Sequence, residues 1–197
     1  MGDIWAIVLA AGESKRMGFP KMLLIFNGKT MIENVIGNVT MSDVDNTVVV
    51  LGADREALLE LVGKSSVKYC YNDNYKDGML SSVKCGFRNL PLDFEAVLVF
   101  QGDQPFITPK VINTVIEAYR LSGKGIVIPV YYNKRGHPIL IGRKYRDNIE
   151  KLVISEGLRS LAYQFSDDVL EVDTDDSGIL RDFDTYEDYK KEINQIQ

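Results

Sequence analysis

Cysteine, histidine and surplus positive charge are all scarce in this sequence. Cys70 and Cys85 are its two cysteines and His137 its one histidine. With no C-x-x-C spacing between the cysteines, neither a disulfide framework nor a thiolate zinc site is expected, and a reducing compartment fits. Lys and Arg number 23 against 28 Asp and Glu, a net charge of −5. A protein that grips a nucleic-acid backbone needs the opposite balance, so a nucleic-acid partner is excluded, whereas a small anion needs only a few local cations. No run of 18 apolar residues occurs, and the start Met-Gly-Asp-Ile-Trp has neither the basic residues of a secretion signal nor the Ser or Thr of a myristoylation site. A cytoplasmic protein without a membrane partner is expected.

Of the 197 residues, 45% are hydrophobic and 26% charged, enough to bury one sizeable core. Short β-branched runs at Ile4 to Leu9, Thr47 to Leu51, Val67 to Tyr71, Ala96 to Phe100 and Ile126 to Val130 read as strands. Between them, Arg55 to Val62, Leu80 to Leu90 and Lys110 to Leu121 carry apolar residues at spacings of three and four, and Asn34 to Met41 looks like a helical tail. In the clearest case Thr108 caps the helix, Pro109 occupies its first turn, and Val111, Ile112, Val115, Ile116 and Tyr119 form one apolar stripe. Strand and helix in alternation mean a mostly parallel sheet covered on both faces, a three-layer α/β/α arrangement. After Pro129 the pattern changes to a polar turn at Tyr131 to Gly136, a short strand at Pro138 to Ile141, helices at Arg146 to Val153 and Leu158 to Phe165, and a strand at Val169 to Asp173. A last helix starts at Tyr186 with Thr185 as its cap. With no linker, repeat or low-complexity stretch, residues 1–197 are expected to form a single domain.

The chemistry begins where the first strand ends. Leu9-Ala10-Ala11-Gly12-Glu13-Ser14-Lys15-Arg16-Met17-Gly18-Phe19-Pro20-Lys21 sets small residues, two glycines and three cations after a buried strand. In an open α/β sheet ligands bind at such carboxyl-end loops. Small residues admit backbone N–H groups to phosphate oxygens, and Arg16 and Lys21 supply charge that amides lack. Neither familiar phosphate motif is met. Gly12 and Gly18 do not fit Gly-x-Gly-x-x-Gly, and the Walker-like ending Gly28-Lys29-Thr30 has Leu23 where its first glycine belongs.

Three later segments add to this loop. Phe100-Gln101-Gly102-Asp103-Gln104-Pro105 puts a carboxylate just past a strand, where Asp103 can hold Mg²⁺, although Gly-Asp-x-Pro is also an ordinary turn. Asn72-Asp73-Asn74-Tyr75-Lys76-Asp77-Gly78-Met79-Leu80-Ser81-Ser82 is a polar turn leading into a helix, whose N-terminus and hydroxyls could border a base, ribose or phosphate or simply cap the helix. Arg135-Gly136-His137-Pro138 contains the lone histidine, a residue more often structural than catalytic, and Asp182-Phe183-Asp184-Thr185 offers Asp184 either as a second metal ligand or as a charge at a helix start.

Together these blocks resemble the MobA-like nucleotidyltransferases, and their MocA-like branch in particular. Leu9 to Lys21 is similar to the LAAGxSxRMGxPK signature, and the later blocks follow in the same order over nearly the whole chain. Two departures stand out: Glu156-Gly157-Leu158-Arg159-Ser160 matches a Gly-x-x-Gly-Ala-Arg block only in part, and Tyr186 replaces the proline after Asp-Thr. The resemblance implies a Rossmann-like α/β fold, a nucleoside triphosphate in the first loop, Mg²⁺ on Asp103, and cytidylyl transfer from CTP to a molybdopterin-type cofactor. Taken with the residues themselves, nucleotide contacts are expected at Leu9, Ala10, Ala11, Gly12, Gly78, Ser81, Ser82 and His137, catalytic roles for Arg16, Lys21 and Asp103, a further metal ligand in Asp184, and transient contact with a molybdoenzyme, with residues 1–108 on the nucleotide side and 109–197 on the acceptor side. An acceptor phosphate oxygen would attack the α-phosphorus and pyrophosphate would leave, without a protein nucleophile. Transfer to a sugar or alcohol phosphate, and a non-catalytic cofactor-delivery chaperone, are the alternative readings.

Overall fold

The computed structural model describes residues 2–183 and 185–196. The chain runs β1 (Ile4–Ala10), β2 (Ile25–Phe26), β3 (Lys29–Thr30), α1 (Met31–Thr40), β4 (Asn46–Leu51), α2 (Arg55–Val62), β5 (Lys68–Tyr71), α3 (Met79–Arg88) and β6 (Ala96–Gln101). It continues through α4 (Pro109–Ser122), β7 (Ile126–Tyr131), β8 (Lys134–Arg135), β9 (Ile139–Gly142), α5 (Arg146–Lys151), α6 (Arg159–Gln164), β10 (Val169–Asp173) and α7 (Tyr186–Ile196).

One eight-stranded sheet has the order β10-β7-β9-β6-β1-β4-β5, with β8 paired to β7; β2 and β3 form a separate hairpin. Strands β6, β1, β4 and β5 are parallel, as are β7 and β10, while β9 runs antiparallel to both β6 and β7. The expected mostly parallel α/β sheet is present, and strands from both sides of residue 108 share it. Every residue of β1 is buried, and its side chains alternate between two cores as the pleat requires. Ile4, Ala6, Val8 and Ala10 join a core that includes Ile32, Leu58 and Ile112; Trp5, Ile7 and Leu9 join another with Val83, Phe87 and Ile149. The sheet thus has α1, α2 and α4 on one face and α3 and α5 on the other.

Helix α1 starts earlier than its apolar spacing indicates. Thr30 accepts from the Glu33 N–H and the Glu33 carboxylate accepts from the Thr30 N–H, a capping box whose Thr-x-x-Glu pattern sets the start at Met31. The same device starts α7: the Thr185 hydroxyl accepts from the Asp188 N–H at 3.2 Å, and the Asp188 carboxylate accepts from the Thr185 N–H at 3.0 Å. Thr108 caps α4 as expected. The polar segment from Tyr131 to Gly136 is a tight hairpin joining β7 to β8, with Tyr132 and Asn133 both at positive φ.

Two close backbone approaches set the geometry at the carboxyl ends of the central strands. Past β6, the Gly102 N–H donates to the Leu9 carbonyl at 2.9 Å, and a Cβ at Gly102 would lie 2.9 Å from that oxygen. Past β4, a Cβ at Gly52 would stand 2.6 Å from the Ala11 carbonyl oxygen and 2.7 Å from the Ala11 methyl. No flexible side chain is available there to yield. Gly52→Ala is therefore expected to destabilise the fold by about 1–3 kcal/mol, the usual size of forced overpacking. Chemical denaturation checks it, and an unchanged midpoint would show that the loop after β1 gives way freely.

Candidate active site

The parallel strands change direction of travel at β1. From β1 the chain proceeds outward through β4 to β5, then crosses back to place β6 on the other side of β1. In an open α/β sheet a ligand crevice lies at the carboxyl ends of the strands where the order reverses in this way. A cleft of about 390 Å³ lies there, lined by residues from the loop after β1, from Tyr75 to Ser82, and from Gln101 and Asp103.

The loop after β1 is held by its own backbone and by its far end. Ser14 adopts positive φ, and its carbonyl accepts from the N–H groups of Met17 at 2.9 Å and Gly18 at 3.2 Å. Its hydroxyl accepts from the Lys21 N–H at 3.1 Å. Met17 is buried with Phe26, Met31 and Phe183, so the middle of the loop rests on an apolar floor supplied partly by the segment before α7. Lys21 reaches across to Asp103 and forms an ion pair with it, both side chains almost buried at 12% and 13% exposure. Asp103 sits one residue past Gly102, whose hydrogen bond to Leu9 fixes its distance from β1.

The third wall is the start of α3. Gly78, Met79 and Ser82 face the cleft, where the unpaired N–H groups of a helix N-terminus favour negative charge. Asn72 organises this wall from behind, donating to the hydroxyls of Ser81 at 2.8 Å and Ser82 at 3.0 Å. With Lys15, Arg16 and Lys21 against Asp103 alone, the cleft lining carries a positive surplus in a chain of net charge −5.

Of the residues singled out from the sequence, Leu9, Ala11, Gly12, Arg16, Lys21, Gly78, Ser82 and Asp103 line this one cleft. Three do not. Ala10 turns its methyl into the α1 and α4 core, because successive strand residues face opposite ways. Ser81 commits its hydroxyl to Asn72 and to the carbonyls of Asn74 and Gly78. His137 stands behind the cleft with Nε2 2.9 Å from the Gln101 amide nitrogen; burial lowers its pKa, while the Val99 backbone and the Asp103 charge act the other way. Asp184 lies outside the described residues. Ser14, Lys15, Met17, Tyr75, Met79 and Gln101 lie inside the motif segments without an assigned role, and Met22 lies just past one; all seven join the lining. Only the fold shows which residues of such a segment face the cleft.

Asp103 is the one carboxylate of the lining, and no group of three or more His, Cys, Asp or Glu positioned for a metal occurs among the described residues. A hard divalent cation that keeps most of its water and takes substrate phosphates as ligands suits one protein carboxylate. No helix among the described residues is long and apolar enough to cross a membrane.

Comparison with known proteins gives the family and the fold. The molybdenum cofactor cytidylyltransferase of Escherichia coli K12 is 26% identical over 191 residues, covering 96% of this chain and 95% of that protein. The bifunctional protein GlmU of Staphylococcus saprophyticus is 31% identical over 150 residues, and there the match spans 75% of this chain and 32% of the relative. Among solved structures, an Rv0371c homologue from Mycobacterium sp. strain JC1 superposes with a TM-score of 0.87 at 27% identity, over 98% of this chain and 96% of that one. A manganese complex of Rv0371c from Mycobacterium tuberculosis H37Rv superposes at 0.77 and 22% identity, over 96% and 97% of the two chains. The MobA-like NTP transferase domain matches residues 6–169, and the chain belongs to that family of nucleotidyltransferases.

Proposed function

We propose that this protein is a Mg²⁺-dependent cytidylyltransferase that moves CMP from CTP to the phosphate of a molybdopterin-type cofactor, releasing pyrophosphate, in the cytoplasm. The observation that carries the reading is the convergence of Arg16, Lys21 and Asp103 on one cleft at the β1/β6 switch point. The relative from E. coli that matches nearly end to end is named for that reaction.

An acceptor phosphate is already anionic, so the protein needs no nucleophile of its own. Its task is to align the acceptor oxygen with the α-phosphorus and to offset the charge that accumulates there. The N–H groups around Gly12 and the start of α3 hold triphosphate oxygens, and Arg16 and Lys21 add cationic contacts. Lys21 is poised for this, since its ammonium already lies inside the cleft on Asp103. Asp103 would hold Mg²⁺, which when bound would supply charge neutralisation to the phosphates. Asp184 is the proposed second ligand. In this reading residues 1–108 supply the nucleotide side and residues 109–197 the acceptor side of one domain.

The two members of the ion pair are expected to fail differently. Asp103→Ala should abolish turnover and Mg²⁺ or Mn²⁺ binding while the protein stays folded, and excess metal should not restore it. Lys21→Ala and Arg16→Ala should each slow turnover by on the order of a hundredfold or more while metal binding survives. Pyrophosphate release and a Mn²⁺ titration measure both quantities. Wild-type turnover by Asp103→Ala, or losses in the cation variants that track only thermal stability, would remove these residues from the chemistry.

CTP is expected to be preferred over GTP. Ala11 lines the cleft and is almost fully buried, with its methyl against Gly52, so a wall of fixed position limits how near a large purine comes to the backbone. One methyl in a pocket is worth about 1–3 kcal/mol, so Ala11→Gly should narrow the ratio of kcat/KM values by roughly tenfold or more. Competition between the two nucleotides over molybdopterin and over sugar or alcohol phosphates tests base and acceptor together. Better use of GTP by the wild type would overturn the cytidylyl assignment, and turnover only with another phosphate would overturn the acceptor.

A further inference from the structure

The two cysteines, 15 residues apart in sequence, meet in space: Cys70 on β5 and Cys85 on α3 have their sulfurs 3.7 Å apart. They differ in exposure, Cys70 being buried and Cys85 partly open to solvent. The Cys85 sulfur also lies 3.3 Å from the Tyr71 carbonyl, which fixes the side chain on the β5 side of the helix. A hydrogen bond from Cys70, helped by the Arg88 charge and opposed by burial and Asp73, lowers the Cys85 pKa to about 7. The same hydrogen bond, burial and the Cys85 charge raise that of Cys70. Cys85 is therefore the accessible nucleophile and Cys70 the protonated thiol behind it. Two sulfurs with no third metal-ligating group among the described residues do not make a zinc site.

We propose that Cys85 and Cys70 are a peroxide-oxidisable dithiol, with Cys85 the attacking thiol and Cys70 the resolving one, and that their disulfide fastens α3 to β5 beside the cleft. The Cys85 thiolate attacks one oxygen of hydrogen peroxide; the O–O bond breaks, hydroxide leaves, and Cys85 becomes a sulfenic acid. The Cys70 sulfur then attacks the sulfenyl sulfur; the S–S bond forms, the S–O bond breaks, and the departing hydroxide leaves as water with the Cys70 proton. In sum, two thiols and one peroxide give one disulfide and two waters. Reduced thiols are the resting state in a reducing compartment, where such a bond is transient and responsive to oxidant.

Its consequence follows from the neighbours. Cys70 lies two residues before Asn72, and Cys85 lies one helical turn after Ser81 and Ser82, the hydroxyls that Asn72 holds. Bringing the sulfurs from 3.7 Å to about 2 Å draws α3 against the strand and shifts the wall formed by Gly78, Met79 and Ser82. This coupling rests on the proposed nucleotide site; the thiol chemistry does not.

The test uses the full chain, reduced and then treated with one equivalent of hydrogen peroxide. Intact mass is expected to fall by two hydrogens with no dimer formed, a digest to yield the peptide joining Cys70 to Cys85, and dithiothreitol to reverse both. Cys70→Ala and Cys70→Ser are each expected to stop at a sulfenic acid on Cys85 that a cyclic 1,3-diketone traps, and Cys85→Ser to keep its single thiol unmodified. Failure of the wild type to react, a disulfide between two chains, or a sulfinic acid on Cys85 beside an intact Cys70 thiol would overturn the dithiol. CTP affinity, measured by calorimetry with Mg²⁺, is expected to weaken about tenfold on oxidation and to recover on reduction, since displacements near 1 Å in a binding wall are felt strongly. Equal affinity in the two redox states would overturn the coupling alone. If the reduced protein does not bind CTP at all, the nucleotide reading fails, whatever the thiols do.

Discussion

The ion pair between Lys21 and Asp103 holds the two halves of the cleft together. One partner ends the loop that leaves β1 and the other follows β6, so the pair ties the two loops at the switch point. A carboxylate 13% exposed is costly to leave without a counter-charge, and the lysine supplies one from inside the protein. Both charged groups are thus held in the cleft before any ligand arrives, which leaves less to be ordered when one does.

Two hydrogen-bonding devices outside the cleft serve the same end. Gly102 lets the β6 loop sit on the Leu9 carbonyl, which sets the height of Asp103, and Asn72 sets the orientation of the first turn of α3 by holding Ser81 and Ser82. Each works through backbone or short side chains, which have few rotamers to lose. The cationic residues, by contrast, are long and suited to following a substrate.

The sheet and its helices are legible because β1, β4, β6 and β7 carry apolar, β-branched runs and α4 carries a complete stripe with cap and proline. The start of α1 is set by the Thr30 and Glu33 capping box and not by apolar spacing, and the antiparallel course of β9 has no local signature, since strand direction is set by the connection and not by composition. The motif segments name the loops that line the cleft but not which side chains face into it. Ala10 and Ser81 sit within those segments and point elsewhere, one by strand alternation and the other by its bond to Asn72. The meeting of Cys70 with Cys85 is likewise a product of the fold, because a strand and a helix must pack before residues 15 apart touch.

Phe183 is buried on the same apolar floor as Met17, Phe26 and Met31. Residues 17 and 183 are far apart in sequence, so the loop after β1 comes to rest on a ring supplied only after the last strand of the sheet. A change at Phe183 is therefore felt at a loop it does not belong to: the two cores of the sheet keep their own contacts while the loop above the cleft loses its seat.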